Sequence, residues 1–185
     1  MAYGKELQVS IPNDAEPSEA FLKCINLYKE KKAPAALACF AALIKMPDTS
    51  IAEKVLGYRA LSAISIEADG DTLFAKDMLL HAIDEIKNSP DLFFTLCDVL
   101  YRRAQYSSAI NYCSKGWSIM DQSKPAHNDL HLRSYAVVGD SYFKMGDYEN
   151  AEIAYRVLLD SKLNEYRDMG KKRIDNLSTI KNQTK

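Results

Sequence analysis

No apolar run in this sequence approaches the roughly 20 residues that cross a bilayer. Its opening residues, Met1 to Glu6, lack the charged and apolar regions of a secretory leader. Gly4 is not placed for myristoylation, and the Lys185 end carries no prenylation box. A soluble, cytoplasmic protein without membrane insertion is expected. An excess of charge of either sign is missing as well. Lys and Arg number 24 against 25 Asp and Glu, so the net charge is −1 and no global basic footprint invites nucleic acid. Glycine and proline are scarce, at 7 and 6 of 185 residues, the sparing use expected of an almost entirely helical chain.

Catalytic and metal-binding patterns are absent too. No Ser/His/Asp order, phosphate-binding glycine loop or paired catalytic carboxylate stands out, so neither an enzyme nor a cofactor is expected. His127 and His131 are spaced i, i+4 but have only Asp129 beside them, which favours a capping or surface role over a metal site. His81 is expected to face solvent. The four cysteines show no Cys-x-x-Cys spacing. Cys24, Cys97 and Cys113 fall on packing positions of the repeat described next, and Cys39 adjoins Phe40 within a helix. They read as buried thiols acting as small hydrophobes, which favours a reducing compartment.

What the chain does have is a repeat. A small residue is followed by an apolar one three places on, an alanine nine further, then a ring or bulky residue and an aliphatic one. The copies are Cys24-Leu27-Ala36-Phe40-Leu43, Ala63-Ile66-Ala75-Leu79-Ala82, Cys97-Leu100-Ala109-Cys113-Gly116 and Gly139-Tyr142-Ala151-Tyr155-Leu158. The second and third copies lie 34 residues apart, and a period of that length means stacked helical hairpins, none able to bury its apolar face alone. Boundary signals agree. Ser50 and Glu53 form a capping box, Asp71 or Thr72 and Asp147 are placed as caps, Ser89 caps before Pro90, and Pro34 opens a helix.

The expected organisation is an N-terminal arm over 1–16, repeats over 17–50, 56–89, 90–123 and 132–165, and a last helix over 166–181. In that helix Tyr166, Met169, Ile174, Leu177 and Ile180 span an arc of about 140°. Its other surface carries Arg167, Lys171, Lys172 and Arg173, a basic cluster expected to be a solvated face.

The pattern, best kept at Tyr135-Val138-Gly139-Tyr142-Gly146-Tyr148-Ala151-Tyr155-Leu158, resembles the tetratricopeptide repeat. The first copy departs from it with Lys31-Lys32 in its turn, and the second with Ile66 and Ala82. The resemblance implies an all-α, right-handed α-solenoid of four helical hairpins plus a C-terminal capping helix. It further implies an adaptor or scaffold whose first helices line a concave surface that binds a protein partner. One face of those helices offers Phe21, Ile25 and Tyr28, then Ala60, Ile64 and Glu67, then Phe94, Asp98 and Tyr101, then Ala136, Asp140 and Phe143. Rings and aliphatics there suit a peptide or amphipathic helix with a few apolar anchors. Chaperone-binding members hold a C-terminal carboxylate with Lys and Asn, where this chain has Asp98 and Asp140. Those acids argue against a chaperone-tail adaptor. A dedicated chaperone for a secreted or assembly-bound client is the alternative function, and self-association through the outer faces is a further one.

Overall fold

The turns show most directly how the sequence makes its elements. In the computed structural model, which describes residues 16–120 and 129–183 (side chains to 180), four turns each pass through one left-handed residue. These are Lys31 (φ 59°), Gly70 (φ 66°), Ala104 (φ 57°) and Gly146 (φ 79°). All four stand seven residues after the small residue of their copy, so the repeat extends to backbone conformation. Three turns close with the same hydrogen bond: Lys32 N donates to Leu27 O (3.0 Å), Gln105 N to Leu100 O (2.9 Å), and Asp147 N to Tyr142 O (2.9 Å). The second copy departs, with Asp71 N reaching Ser65 O at 3.3 Å.

Left-handed backbone presses a Cβ against the following carbonyl, at about 1–2 kcal/mol. Lys31 and Ala104 therefore carry strain that glycine relieves at Gly70 and Gly146. Ala104→Gly should raise the unfolding free energy by about 0.5–1 kcal/mol, the relieved strain less the freedom gained by the unfolded chain. A urea midpoint that stays put or falls would show that the turn stores no such strain.

The described residues form helices α1 (Glu19–Lys29), α2 (Ala33–Leu43), α3 (Ile51–Asp69), α4 (Thr72–Glu85), α5 (Pro90–Arg102), α6 (Tyr106–Ile119), α7 (Asp129–Lys144), α8 (Tyr148–Leu159) and α9 (Asn164–Gln183). No strand occurs among them. The caps act as expected at Ser50, whose Oγ accepts from Glu53 N at 3.2 Å, at Asp71 toward Phe74 N (2.9 Å) and at Asp147 toward Asn150 N (3.1 Å). Ser89 sits at the N-cap of α5 without a side-chain capping bond. Glu53 completes its capping box in an unexpected way, by accepting from Ser18 N at 2.8 Å and so tying the start of α1 to the start of α3. Partial burial opposes its charge, but hydrogen bonds from Ser18 and Ser50 hold its carboxyl below the usual range. Residues 1–15 and 121–128, which include most of the expected arm and His127, lie outside the described residues.

The chain divides into two compact units, one ending at Asn88 and the other beginning at Ser89. In the first, α1 packs on α2, α2 on α3 and α3 on α4. Phe21 and Phe40 meet edge to face there, with ring centroids 6.0 Å apart. In the second, α5 and α6 pair, α7 packs on both, α8 packs on α7, and α9 lies against α8. Tyr166 and Leu177 of α9 are buried with Leu132, Tyr155 and Leu158, so the apolar stripe of the last helix covers α8.

The repeat positions do what their size allows. Ala36, Ala75, Ala109 and Ala151 are fully buried in every hairpin. A Cβ on Gly139 would stand 2.3 Å from the Tyr155 ring, and one on Gly116 2.6 Å from Phe94, so both glycines are close-approach positions.

The cysteines correct the expectation drawn from their spacing. None is a free thiol: Cys24 bonds Cys39, and Cys97 bonds Cys113. In each hairpin the small position of the first helix faces the second helix 15 or 16 residues on, with Cα atoms 5.4 Å apart. That separation lies inside the range a disulfide spans. Bonded cysteines give no support to the expected reducing compartment, nor through it to a cytoplasmic protein. Among the described residues, no helix is long and apolar enough to cross a membrane.

Candidate functional site

The first-helix residues expected to meet a partner fall into three rows of the repeat. Three places before the small residue stand Phe21, Ala60, Phe94 and Ala136. One place after it stand Ile25, Ile64, Asp98 and Asp140. Four places after it stand Tyr28, Glu67, Tyr101 and Phe143. Exposure rises from the first row to the last.

The first row is core. Phe21 and Ala60 are each 1% exposed, Phe94 3% and Ala136 5%, and Ile64 of the second row is 2% exposed. These residues cannot meet a partner on the folded surface, which corrects their assignment to it. The reason is the environment of the helix. In a stack, a first helix is covered by more than one neighbour, so a face that looks free on a helical wheel is enclosed. Phe94 lies over Gly116 of α6 and meets His131 of α7 at a centroid distance of 5.9 Å. His131 in turn meets Tyr135 (5.1 Å), which stacks on Trp117 at 4.3 Å. Trp117 Nε1 donates to Ser134 Oγ at 2.8 Å. His131 is thus part of an aromatic cluster. His81 is exposed, as expected, beside Tyr58.

The second row changes character between the units. Ile25 is half-buried and packs on the core of the first unit. In the second unit the row becomes a ladder of ion pairs. Asp98 of α5 accepts from Arg102 Nε (2.9 Å) and from Arg133 Nη2 on α7 (3.0 Å). Asp140 of α7 accepts from Arg173 Nε (2.7 Å) and Nη2 (2.6 Å) on α9, and from Tyr155 OH (2.7 Å). The Asp98 and Asp140 side chains are 18% and 17% exposed. Burial and the Asp140 charge push the Tyr155 phenol well above its ordinary pKa.

These bonds alter the electrostatic argument made from sequence. Asp98 and Asp140 are matched by three arginines, so they do not present bare negative charge to an incoming carboxylate. The Lys and Asn of a carboxylate clamp are still lacking at those positions. Arg133 was not singled out from sequence. Arg173, expected on the solvated basic face of the last helix, instead turns to Asp140 and is only 21% exposed, because the acid one repeat earlier lies within its reach. The signal was an arginine 33 to 35 residues after each acid, about one repeat on and hence on the next packed helix.

The third row is the accessible one. Tyr28, Tyr101 and Phe143 are half-buried, and Glu67 is exposed. In the first unit, Tyr28 OH donates to Glu67 Oε2 at 2.9 Å, joining α1 to α3. In the second unit each ring leans on another five residues later, across its turn. Tyr101 meets Tyr106 with centroids 5.8 Å apart, and Phe143 meets Tyr148 at 5.7 Å. Two half-exposed rings are thus fixed in the same way at the same repeat position on the neighbouring helices α5 and α7.

The architecture agrees with a solved structure. No family model matches the sequence, and no curated protein matches it. A crystal structure of MamA is similar to this chain with a TM-score of 0.61 at 13% sequence identity, over 92% of this chain and 98% of that one. At that identity the likeness establishes the fold, an all-α helical repeat of the tetratricopeptide-like kind.

Proposed function

We propose that this protein is a non-catalytic interaction module, an adaptor or scaffold subunit that holds a peptide or amphipathic helix of a partner in a larger assembly. The observation that carries the reading is the pair Tyr101 and Phe143, half-exposed rings held in one register by Tyr106 and Tyr148. Rings immobilised before binding lose little side-chain freedom on contact, which is how apolar anchors contribute most to affinity. The Asp98 and Asp140 ladders lie one helical turn away, at i−3 to each ring, and hold polar groups in fixed positions for orienting the bound segment. In the first unit, Ile25 and Tyr28 are the corresponding contacts.

The test is affinity purification from the source cell with wild-type bait and with a Tyr101→Ala, Phe143→Ala bait, quantified by mass spectrometry. At least about a tenfold loss of the wild-type partner is expected, with the helical circular dichroism unchanged. Full retention of that partner would refute the assignment of these rings. Loss of the helical signal would mean that they are core.

A further inference from the structure

We propose that Cys24–Cys39 is a site of thiol exchange, with Cys39 Sγ as the sulfur attacked, and that Cys97–Cys113 is a closed structural bond. The two bonds begin alike, since Cys24 and Cys97 hold the same repeat position and are buried at 1% and 0% exposure. They differ at the second helix. Cys113 stands four residues after Ala109, in the slot that faces the first helix, and is fully buried. In the first hairpin that slot, four after Ala36, is filled by Phe40, itself fully buried. Cys39 is displaced by one residue, about 100° around the helix, onto a half-buried shoulder.

The surroundings reinforce the difference. Ala35, Ala38 and Ala42, the helical neighbours of Cys39 on α2, are exposed and too small to screen a sulfur. Cys113 has Gly116 and Trp117 beside it, and its Sγ lies 3.7 Å from the Ser134 carbonyl oxygen, so α7 covers the bond.

A thiolate must approach the attacked sulfur along the S–S axis, from the side opposite the leaving sulfur. Cys24 is buried at 1% exposure and Cys39, packed against the core, is only half-buried, so Cys39 is the sulfur that offers that approach. An external thiolate bonds to Cys39 Sγ as the Sγ–Sγ bond breaks. The electron pair leaves on Cys24 Sγ, which takes up a proton. A second external thiolate then attacks the external sulfur of this mixed disulfide. The electron pair leaves on Cys39 Sγ, which takes up a proton, and the oxidised external disulfide is released. The reductant is a small monothiol or a dithiol, oxidised by two electrons as the protein disulfide is reduced. The product is a first hairpin whose helices are held by packing alone.

Full-length protein is purified with free thiols blocked by alkylation, then treated natively with reduced glutathione, quenched with iodoacetamide and mapped by peptide mass spectrometry. The glutathione adduct should appear on Cys39, and Cys24 and Cys39 should open at least about tenfold faster than Cys97 and Cys113. Equal rates, faster opening of Cys97–Cys113, an adduct on Cys24, or Cys24 and Cys39 already alkylated before treatment would each overturn the proposal. A Cys39→Ser chain gives an independent reading. Its Cys24 thiol should resist alkylation until urea is added, and rapid native labelling would show that Cys24 is the accessible sulfur.

Discussion

Truncating Phe94 to alanine should lower the unfolding free energy by about 4 kcal/mol. The ring is 3% exposed and lies against Gly116 so closely that a Cβ there would meet Phe94 Cε1 at 2.6 Å. No side chain stands ready to refill the space, because the facing residue is glycine and the neighbouring His131 is held against Tyr135. The cost therefore combines lost burial with a cavity that cannot collapse well. Urea unfolding followed by circular dichroism should show a lower midpoint with the slope unchanged. A loss below about 1 kcal/mol would return Phe94 to the surface face where helical periodicity puts it. Phe94 should govern stability, and Tyr101 binding.

Replacing Cys97 and Cys113 together by alanine should cost about 3 kcal/mol. The bond closes a loop whose ends are 16 residues apart, and releasing it returns conformational freedom to the unfolded chain. Both positions are fully buried, so the native packing of α5 on α6 has no exposed strand or loop to absorb the change. With reductant present through unfolding and refolding, which opens Cys24–Cys39 in both proteins, the stability difference between wild type and variant should largely vanish. Equal stability of wild type and variant in oxidising buffer would mean that the sulfurs are not bonded. The companion bond, Cys24–Cys39, should respond to reductant without prior unfolding.

Much of the fold was legible because its cause is local. Small residues at Gly139 and Ala151, caps at Ser50 and Asp147, and turns at fixed offsets act within one hairpin, and spacing along the chain records them directly. The left-handed turn residues were half-legible. Gly70 and Gly146 announce themselves, whereas Lys31 and Ala104 take the same conformation because their hairpins impose it. The candidate site was less legible. Helical periodicity put Phe21, Ile64 and Phe94 with Tyr28 and Tyr101, since all share one side of a wheel. It does not record how many neighbours that side has.

The cysteines divide the two kinds of knowledge most clearly. Sequence placed Cys24, Cys97 and Cys113 on packing positions, which is where they lie. It gave no hint that packing partners 15 and 16 residues apart bring their Cα atoms to 5.4 Å, because that distance is a property of two helices in contact. The acids behave likewise: Asp98 and Asp140 look like free charges until Arg133 and Arg173 arrive from the next packed helix. The sequence by itself determined an all-α helical repeat, its hairpins and its candidate rings, since these follow from contacts a few residues to one turn apart. Tertiary packing alone decided which rings stay accessible, which acids are paired and which thiols are bonded, since each depends on residues that meet only across helices.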